Sequence, residues 1–405
     1  MIRISTSWMY QQSLSSILNQ QSATAVTQNQ VSSGQRINLA SDDPGGATQV
    51  VSLNHVLADA AQYTSNINDA NARLSTESST LASFNSLLNQ ARSMAIQGIN
   101  GTLSNADRQD MATQLGQIRA QLVQLANTTD ANNNALFAGT STTTTPFVLN
   151  SDGSVTYNGN SDNQMTAIGS GLRIPNSDAG SGLFMNIPAG NGSFVASAAA
   201  GNTGSLLVGA NSVTNTTAWN AATAAGPVNY AITFDAAGNW TASDVNHGNA
   251  TVATGTYKDG GSISFNGMSI ALSGTPAAGD SVSVQSGQTQ NVFATLTNMV
   301  NALNDTGSNN AQLSNTLSRQ IESLDQAQNQ VSATQTDVGG RLNRLTQQQS
   351  NYSNLTLTYQ TVLSGVQDTN LASAISQLSL QSTALQASMQ TFAKMQGMSL
   401  FNYIH

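Results

Sequence analysis

Two long stretches without proline carry an apolar residue at every seventh position, one near each end of the chain. A seven-residue repeat kept over many turns drifts around a straight helix, so such a helix needs a partner and a slight left-handed supercoil. Because each stretch is the partner that the other needs, we expect the chain to fold out and back. The repeating positions are Leu53, Ala60, Ile67, Leu74, Leu81, Leu88 and Ala95, and then Leu317, Leu324, Val331, Val338, Leu345, Tyr352, Tyr359 and Val366.

The positions between these repeats are partly polar. They include Glu77 in the first stretch, and Thr334, Arg341 and Gln348 in the second. Polar layers weaken a simple two-stranded zipper, so the pattern favours a bundle of several helices or a surface that meets neighbouring subunits.

The middle of the chain differs in composition from both ends. Twenty-two of the 33 glycines lie between Gly139 and Gly287, and five of the six prolines lie between Pro146 and Pro276. The segment is also rich in Ser, Thr, Val and aromatic residues, as short strands joined by tight turns are. We therefore predict an α+β multidomain protein, in which a long antiparallel helical rod or bundle from both chain ends carries an inserted all-β domain.

These changes in composition set the expected domain limits. A domain of terminal helices would comprise residues 1–45 and 366–405, and a helical rod domain residues 46–138 and 289–365. The β-rich outer domain would comprise residues 139–288.

Short signals predict where individual elements begin. Asp43 before Pro44 fits a helix start, with the carboxylate as cap and proline in the first turn. Ser104 and Asp107 resemble a capping box with aspartate in place of glutamate. Hairpins are expected around Asp152–Gly153, between Tyr230 and Trp240, and within residues 262–272.

The outermost helical segments have only narrow apolar faces. One face includes Leu14, Ile17 and Leu18, and the other includes Leu378, Leu385 and Phe392. For the inner stretches, an ordinary intramolecular core explains the repeat. Two single helices with narrow faces bury too little to be stable alone, so we expect a polymeric neighbour to complete their packing.

Charge and cysteine content exclude several classes of function. Only 8% of the residues are charged, lysine occurs twice, and the net charge is -8 without a basic patch, which argues against nucleic-acid binding. A surface with so few charges loses little hydration when copies pack together. Cysteine is absent, which removes thiolate chemistry and disulfides. We expect neither a membrane span nor a cleaved signal peptide.

We find no catalytic constellation, and we predict that the protein is not an enzyme and needs no cofactor or metal. The three histidines are His55, His247 and His405, which are too dispersed for a triad or a three-histidine metal site. Asp42 and Asp43 are adjacent but lack the spacing of a calcium loop, so helix capping is the simpler interpretation.

Two motifs at opposite ends of the chain resemble the flagellin family. Residues 30–44 read QVSSGQRINLASDDP, in which a Ser-Ser-Gly turn is followed by Arg-Ile and by Asp-Asp. Residues 366–378 read VQDTNLASAISQL and look like the start of the family's terminal helix. Within the family, the opening MIRISTSWMY and the closing SLFNYI resemble the subgroup that joins hook to filament.

The resemblance implies a structural subunit of the bacterial flagellum, forming the layer between hook and filament by homopolymeric packing of its terminal helices. It also implies export as an unfolded chain through the flagellar type III apparatus to an extracellular location. The implied partners are copies of the chain, the hook-side junction protein, filament flagellin and an export chaperone on the C-terminal helix. The expected assembly interface comprises Leu14, Ile17, Leu18, Arg36, Asp42, Asp43, Leu378, Leu385, Phe392, Leu400 and Phe401.

We also hypothesise that Arg36 contacts the acidic pair Asp42 and Asp43, its own or a neighbour's. Two alternative functions remain at this stage. The chain could be filament flagellin, which would grow long filaments, or a secreted adhesin whose β domain binds while the helices form a stalk.

Overall fold

The computed structural model describes residues 6–397, and their internal contacts divide them into two units. The terminal unit holds the residues up to Ser65 and those from Gln347 onward, and the central unit holds Asn66–Thr346. The helices are α1 (Thr6–Ser33), α2 (Pro44–Gly98), α3 (Asn105–Ala126), α4 (Thr216–Thr223), α5 (Val292–Asn304), α6 (Asn310–Gln367) and α7 (Leu371–Gly397).

Both predicted helix starts are confirmed. Helix α2 begins at Pro44, and the Gly46 N–H donates to Asp43 Oδ1 at 2.9 Å. Helix α3 follows a complete capping box, in which the Ser104 hydroxyl accepts from the Asp107 N–H while the Asp107 carboxylate accepts from the Ser104 N–H. Local side-chain chemistry therefore fixes where these helices start.

The seven-residue repeat marks the buried face of α2 and α6 inside the central unit. Its members there are buried: Ile67, Leu74, Leu81, Leu88, Ala95, Leu317, Leu324, Val331, Val338 and Leu345. In the terminal unit, Ala60 is also buried, whereas Leu53, Tyr352, Tyr359 and Val366 are only half-buried. The same sequence pattern therefore forms a closed core in the central unit and a mostly half-buried face in the terminal unit.

In the central unit α2 and α6 run antiparallel, as shown by three side-chain contacts between them. The donors and acceptors are Asn85 Nδ2 to Ser332 Oγ at 3.5 Å, Gln328 Nε2 to Asn89 Oδ1 at 3.0 Å, and Arg92 Nε to Asp325 Oδ1 at 2.6 Å. Residue numbers in α6 fall by as much as those in α2 rise, so the register is constant along this stretch.

The strands of the central unit are all paired antiparallel. They are β1 (Phe147–Leu149), β2 (Val155–Tyr157), β3 (Met165–Gly169), β4 (Leu172–Pro175), β5 (Ile187–Pro188), β6 (Phe194–Ala198), β7 (Leu207–Val213), β8 (Asn229–Phe234), β9 (Asn239–Asp244), β10 (Ala250–Thr256), β11 (Ser262–Phe265), β12 (Met268–Ser273), β13 (Ser281–Ser286) and β14 (Thr289–Gln290). The two larger sheets have the orders β10-β9-β8-β13-β6 and β11-β12-β7, and three two-stranded pairs are β1-β2, β3-β4 and β5-β14.

All three predicted hairpins are present, as β1-β2, β8-β9 and β11-β12. The turn between β1 and β2 has Gly153 at φ 82°, and the turn between β11 and β12 has Asn266 and Gly267 at φ 47° and 80°. These left-handed conformations suit glycine and asparagine, which is why such pairs mark tight turns in the sequence.

The strands join two separate cores rather than one. Phe147, Val155 and Phe184 pack with α2, α3, α5 and α6 in a helical core. The strands from β6 to β13 enclose a second core that includes Trp219 and Trp240. The fold class, helices from both chain ends with an inserted antiparallel β region, is confirmed. Within residues 139–288, the packing assigns the early strands to the helices.

Five phenylalanines form the centre of the helical core. The Phe184 ring lies 4.5 Å from Phe84, centroid to centroid, and three further rings surround it at 5.2 to 6.3 Å. These neighbours are Phe137, Phe147 and Phe293. Phe184 thus joins the segment after β4 to the helices.

A buried carboxyl group lies where α2 and α6 meet the segment after β4. Glu77 on α2 is fully buried, and its Oε1 accepts from the Asp178 N–H at 3.1 Å while its Oε2 has no partner. The Asp178 carboxylate binds the Arg341 guanidinium of α6 through two bonds of 2.8 and 2.9 Å. Burial, and secondly the nearby Asp178 carboxylate, raise the pKa of Glu77 to about 8.

Candidate assembly interface

The terminal unit pairs α1 with α7. Tyr10 of α1 packs on Phe392 of α7 with ring centroids 4.7 Å apart, and Gln396 Nε2 donates to the Tyr10 hydroxyl at 2.7 Å. Lys394 is the one charged residue in the described ranges of these two helices. Helices α1 and α7 therefore meet through a nearly uncharged surface.

The pair buries very little of its apolar surface. Within the described parts of α1 and α7, Thr27 and Ala374 are the only residues that are buried. Of the six expected contact residues on these helices, Ile17, Leu378, Leu385 and Phe392 are half-buried. Leu14 and Leu18 remain 41% and 55% exposed, so the pairing of these helices does not bring them into a core.

Ten large apolar side chains of α1 and α7 are at least 40% exposed, with Leu380 the most open at 73%. They are Trp8, Met9, Tyr10, Leu14, Leu18, Val26, Leu371, Ile375, Leu380 and Met389. Many exposed apolar side chains on one pair of helices are the kind of surface that proteins use for interaction. The sequence pattern missed Trp8 and Leu380, because Leu380 lies off the seven-residue repeat of α7 and Trp8 belongs to no repeat.

A short backbone clasp joins the segment after α1 to the segment after α6. Residues 34–36 lie beside residues 366–369, with Gln35 and Asp368 in an antiparallel bridge. The Arg36 N–H donates to the Gln367 carbonyl at 2.7 Å, and Arg36 Nη2 donates to the Val366 carbonyl at 2.7 Å. The shortest hydrogen bonds of Arg36 are therefore those to the backbone carbonyls at the end of α6.

The acidic pair beside Arg36 has two separate roles. Asp42 Oδ2 accepts from the Asn38 and Leu39 N–H groups at 3.1 and 2.9 Å, which closes the turn before α2. Asp43 caps α2, and Arg36 Nη1 approaches its Oδ2 at 3.4 Å. The Gly46 N–H, and secondly Arg36, hold the pKa of Asp43 below its usual range. Arg36 therefore contacts the chain's own Asp43.

Two expected interface residues, Leu400 and Phe401, lie outside the described residues. Among residues 6–397, no group of three or more histidine, aspartate or glutamate side chains is arranged to hold a metal ion. No helix in the same range is long and apolar enough to cross a membrane.

Family models match both the helical and the β regions. Residues 4–142 match the bacterial flagellin N-terminal helical region. Residues 198–286 match the D2-like domain of flagellar hook-associated protein 1, and this stretch closely coincides with the second core. The independent match of the β region agrees with its separate packing.

One curated relative is flagellar hook-associated protein 3 of Escherichia coli strain K12, which is 40% identical over 146 residues. The match covers 36% of this chain and 46% of the relative, so it spans about half of the relative's length. This sequence match therefore describes only part of each protein.

Two crystal structures cover most of the described fold. FlgL from Xanthomonas campestris matches with a TM-score of 0.70 and 33% identity, over 77% of this chain and 99% of that one. The flagellar hook-associated protein-3 from Legionella pneumophila matches with a TM-score of 0.72 and 29% identity, over 78% and 98%. The chain therefore belongs to the flagellin family, in the group of FlgL and hook-associated protein 3.

Proposed function

We propose that this chain is a structural subunit of the bacterial flagellum that forms the junction layer between hook and filament. Copies would associate through homopolymeric packing of α1 and α7. The observation that carries this proposal is the set of exposed apolar side chains on these two helices, which their own pairing leaves uncovered.

The chemistry of this surface favours another uncharged helical surface as its partner. Burying a charge costs several kcal/mol of desolvation, whereas α1 carries no charge over Thr6–Ser33. A second copy presents the same nearly neutral, apolar surface. In such a layer, Leu14 and Leu18 would lie against neighbouring copies, while the clasp at Arg36 would hold the two chain ends together.

The same proposal includes the remaining partners and the route. The layer would contact the hook-side junction protein on one side and filament flagellin on the other, and an export chaperone would bind the C-terminal helix before assembly. Leu400 and Phe401 would extend the interface. The subunit would be exported without a cleaved signal peptide and would have a purely structural role, without enzymatic activity.

We retain the three-domain division as part of the proposal. Residues 1–45 with 366–405 would form the assembly domain, residues 46–138 with 289–365 the rod, and residues 139–288 the outward domain, whose first strands pack on the rod. The match of residues 198–286 to a D2-like domain supports an outer domain there.

Assembly onto isolated hooks tests the proposal. The purified chain is mixed with hooks, sedimented and viewed by electron microscopy, alongside a Leu18→Gln/Leu380→Gln variant. A Leu149→Gln variant, which changes an exposed apolar residue of β1, is the control. We expect the wild type and the control to add a short terminal layer and stop, and the double variant to stay in the supernatant with unchanged circular dichroism.

Two results would contradict the proposal. Normal assembly of the double variant would show that the α1/α7 surface is not the contact. Long filaments grown from the wild type alone would identify filament flagellin instead.

A further inference from the structure

Helix α6 contains two adjacent glycines, Gly339 and Gly340, in the interior of its 58 residues. Each glycine lowers the helix-forming equilibrium about fivefold relative to alanine. A glycine within a helix is often required because a neighbouring group leaves no room for a side chain. At Gly339 and Gly340, nothing lies within 4 Å of the position that a Cβ would take. In this conformation the two glycines weaken α6, although the packing around them would leave room for a larger side chain.

Helix α2 is weak at the same level. Arg92 faces Asp325 and Asn85 faces Ser332, so the next step of seven residues places Ser78 opposite Gly339. Around Ser78 the sequence of α2 is Ser75–Thr80, which reads STESST. The Ser79 and Thr80 hydroxyls both donate to the Thr76 carbonyl, at 2.9 and 2.8 Å. Such bonds compete with the helical ladder and often bend helices.

The segment after β4 holds the two helices together at this weak level. Asp178 binds Arg341 through its carboxylate and Glu77 through its N–H, and therefore bridges α6 and α2. We call these three residues the Asp178 bridge. Glu77 Oε2 and the hydroxyl of Ser177, the residue before Asp178, are buried without a hydrogen-bond partner. Buried polar atoms are rarely left unpaired, so this arrangement is not fully satisfied.

We propose that the α2/α6 pair has a hinge at Gly339–Gly340 and Ser75–Thr80, held straight by the Asp178 bridge. Glycine and serine pairs are among the few causes of sharp helix bends. The hydrogen bonds of the Asp178 bridge stabilise the observed conformation of the two helices. The two weak stretches lower the free-energy cost of bending them. The hinge goes beyond the proposed function, because bending of this pair needs no assembled partner.

Hydrogen exchange followed by mass spectrometry tests the hinge in the full chain. In the middle of a continuous helix, amides normally exchange together through larger openings. We expect amides 336–344 to exchange about tenfold faster than amides 318–330 of the same helix. Equal exchange over the two stretches would overturn the proposal.

A Gly339→Ala/Gly340→Ala variant tests whether the two glycines cause the local opening. Alanine favours the helix and its Cβ meets no neighbouring atom at either position, so the variant should fold. We expect exchange over residues 336–344 to slow by roughly 20-fold, with residues 318–330 unchanged. The matched control is Gly116→Ala in α3, where a Cβ also meets nothing within 4 Å. Slowing spread evenly along α6, or the same change from the control, would contradict a local hinge.

An Asp178→Asn variant tests the bridge, since it weakens the bidentate bond to Arg341. We expect faster exchange at residues 336–344 and 75–80 together, with residues 318–330 unchanged. An increase confined to the segment around residue 178 would show that the bridge does not restrain the helices.

Discussion

Glu77→Gln should remove a pH dependence from the stability of the protein. Glutamine retains the shape of the side chain and an acceptor for the Asp178 N–H, but it cannot ionise. Glu77 is fully buried, and its pKa is raised to about 8 from a usual value of 4.5. Below pH 4.5 the carboxyl is protonated in both the folded and the unfolded chain. As the pH rises toward 8, the unfolded chain releases this proton while the folded chain retains it, so stability falls.

The size of the effect follows from the difference between the two pKa values. One pKa unit corresponds to about 1.4 kcal/mol, and the loss accumulates only between the unfolded and the folded pKa. Between pH 5.5 and 7.5 the wild type should therefore lose about 2 kcal/mol of unfolding free energy through Glu77. Burial also raises the pKa of Glu322, but that residue is common to both proteins and its contribution cancels in their difference.

Urea unfolding followed by circular dichroism at pH 5.5, 6.5 and 7.5 measures this difference. We expect the variant to gain about 2 kcal/mol relative to the wild type across the window. Asp110→Asn, which removes an exposed carboxylate of α3, is the control and should show a nearly constant difference. A constant difference for Glu77→Gln as well would mean that Glu77 is already ionised in the folded protein, and the burial argument would fail.

Three further substitutions compare how much other interactions contribute to the free energy of unfolding, measured by the same urea titration. Arg73→Ala should cost about 3 to 5 kcal/mol, because it leaves Asp130, bound at 2.7 Å in a nearly buried pair, without its partner. Arg92→Ala should cost less than about 1 kcal/mol, because its pair with Asp325 is more than a third exposed. Equal costs for these two would contradict the role assigned to burial. Phe184→Ala should cost about 3 to 5 kcal/mol by opening a cavity among four other rings, and a loss below about 1 kcal/mol would show that the cluster collapses without it.

The helical architecture could be predicted because its determinants are local or periodic. The repeat from Ile67 to Ala95 needs a partner face, and a second stretch of the same kind provides one. The start at Pro44 and the capping box at Ser104 depend on residues within three positions of each other. Such features are present in the sequence without any knowledge of the tertiary fold.

The packing of the early strands could not be predicted in the same way. Alternating and turn-forming residues show that β1 and β2 are strands, but they do not show that Phe147 packs on Phe293 of a helix. The Asp178 bridge is equally hidden, since Glu77 and Asp178 are 101 positions apart. Leu380 was missed because a strict repeat of seven selects one line of residues and overlooks the neighbouring ones.

The clasp between residues 34–36 and 366–369 has a consequence for the order of folding. Arg36 and Val366 are 330 positions apart. The terminal unit therefore cannot close until nearly the whole chain is available to fold. Closing so long a loop costs about 5 kcal/mol of chain entropy if the intervening residues are disordered. Prior folding of the central unit shortens that loop. Its antiparallel helices α2 and α6 bring the point where the chain enters the unit close to the point where it leaves. We therefore expect the terminal unit, with its exposed apolar side chains, to close only after the central unit has folded.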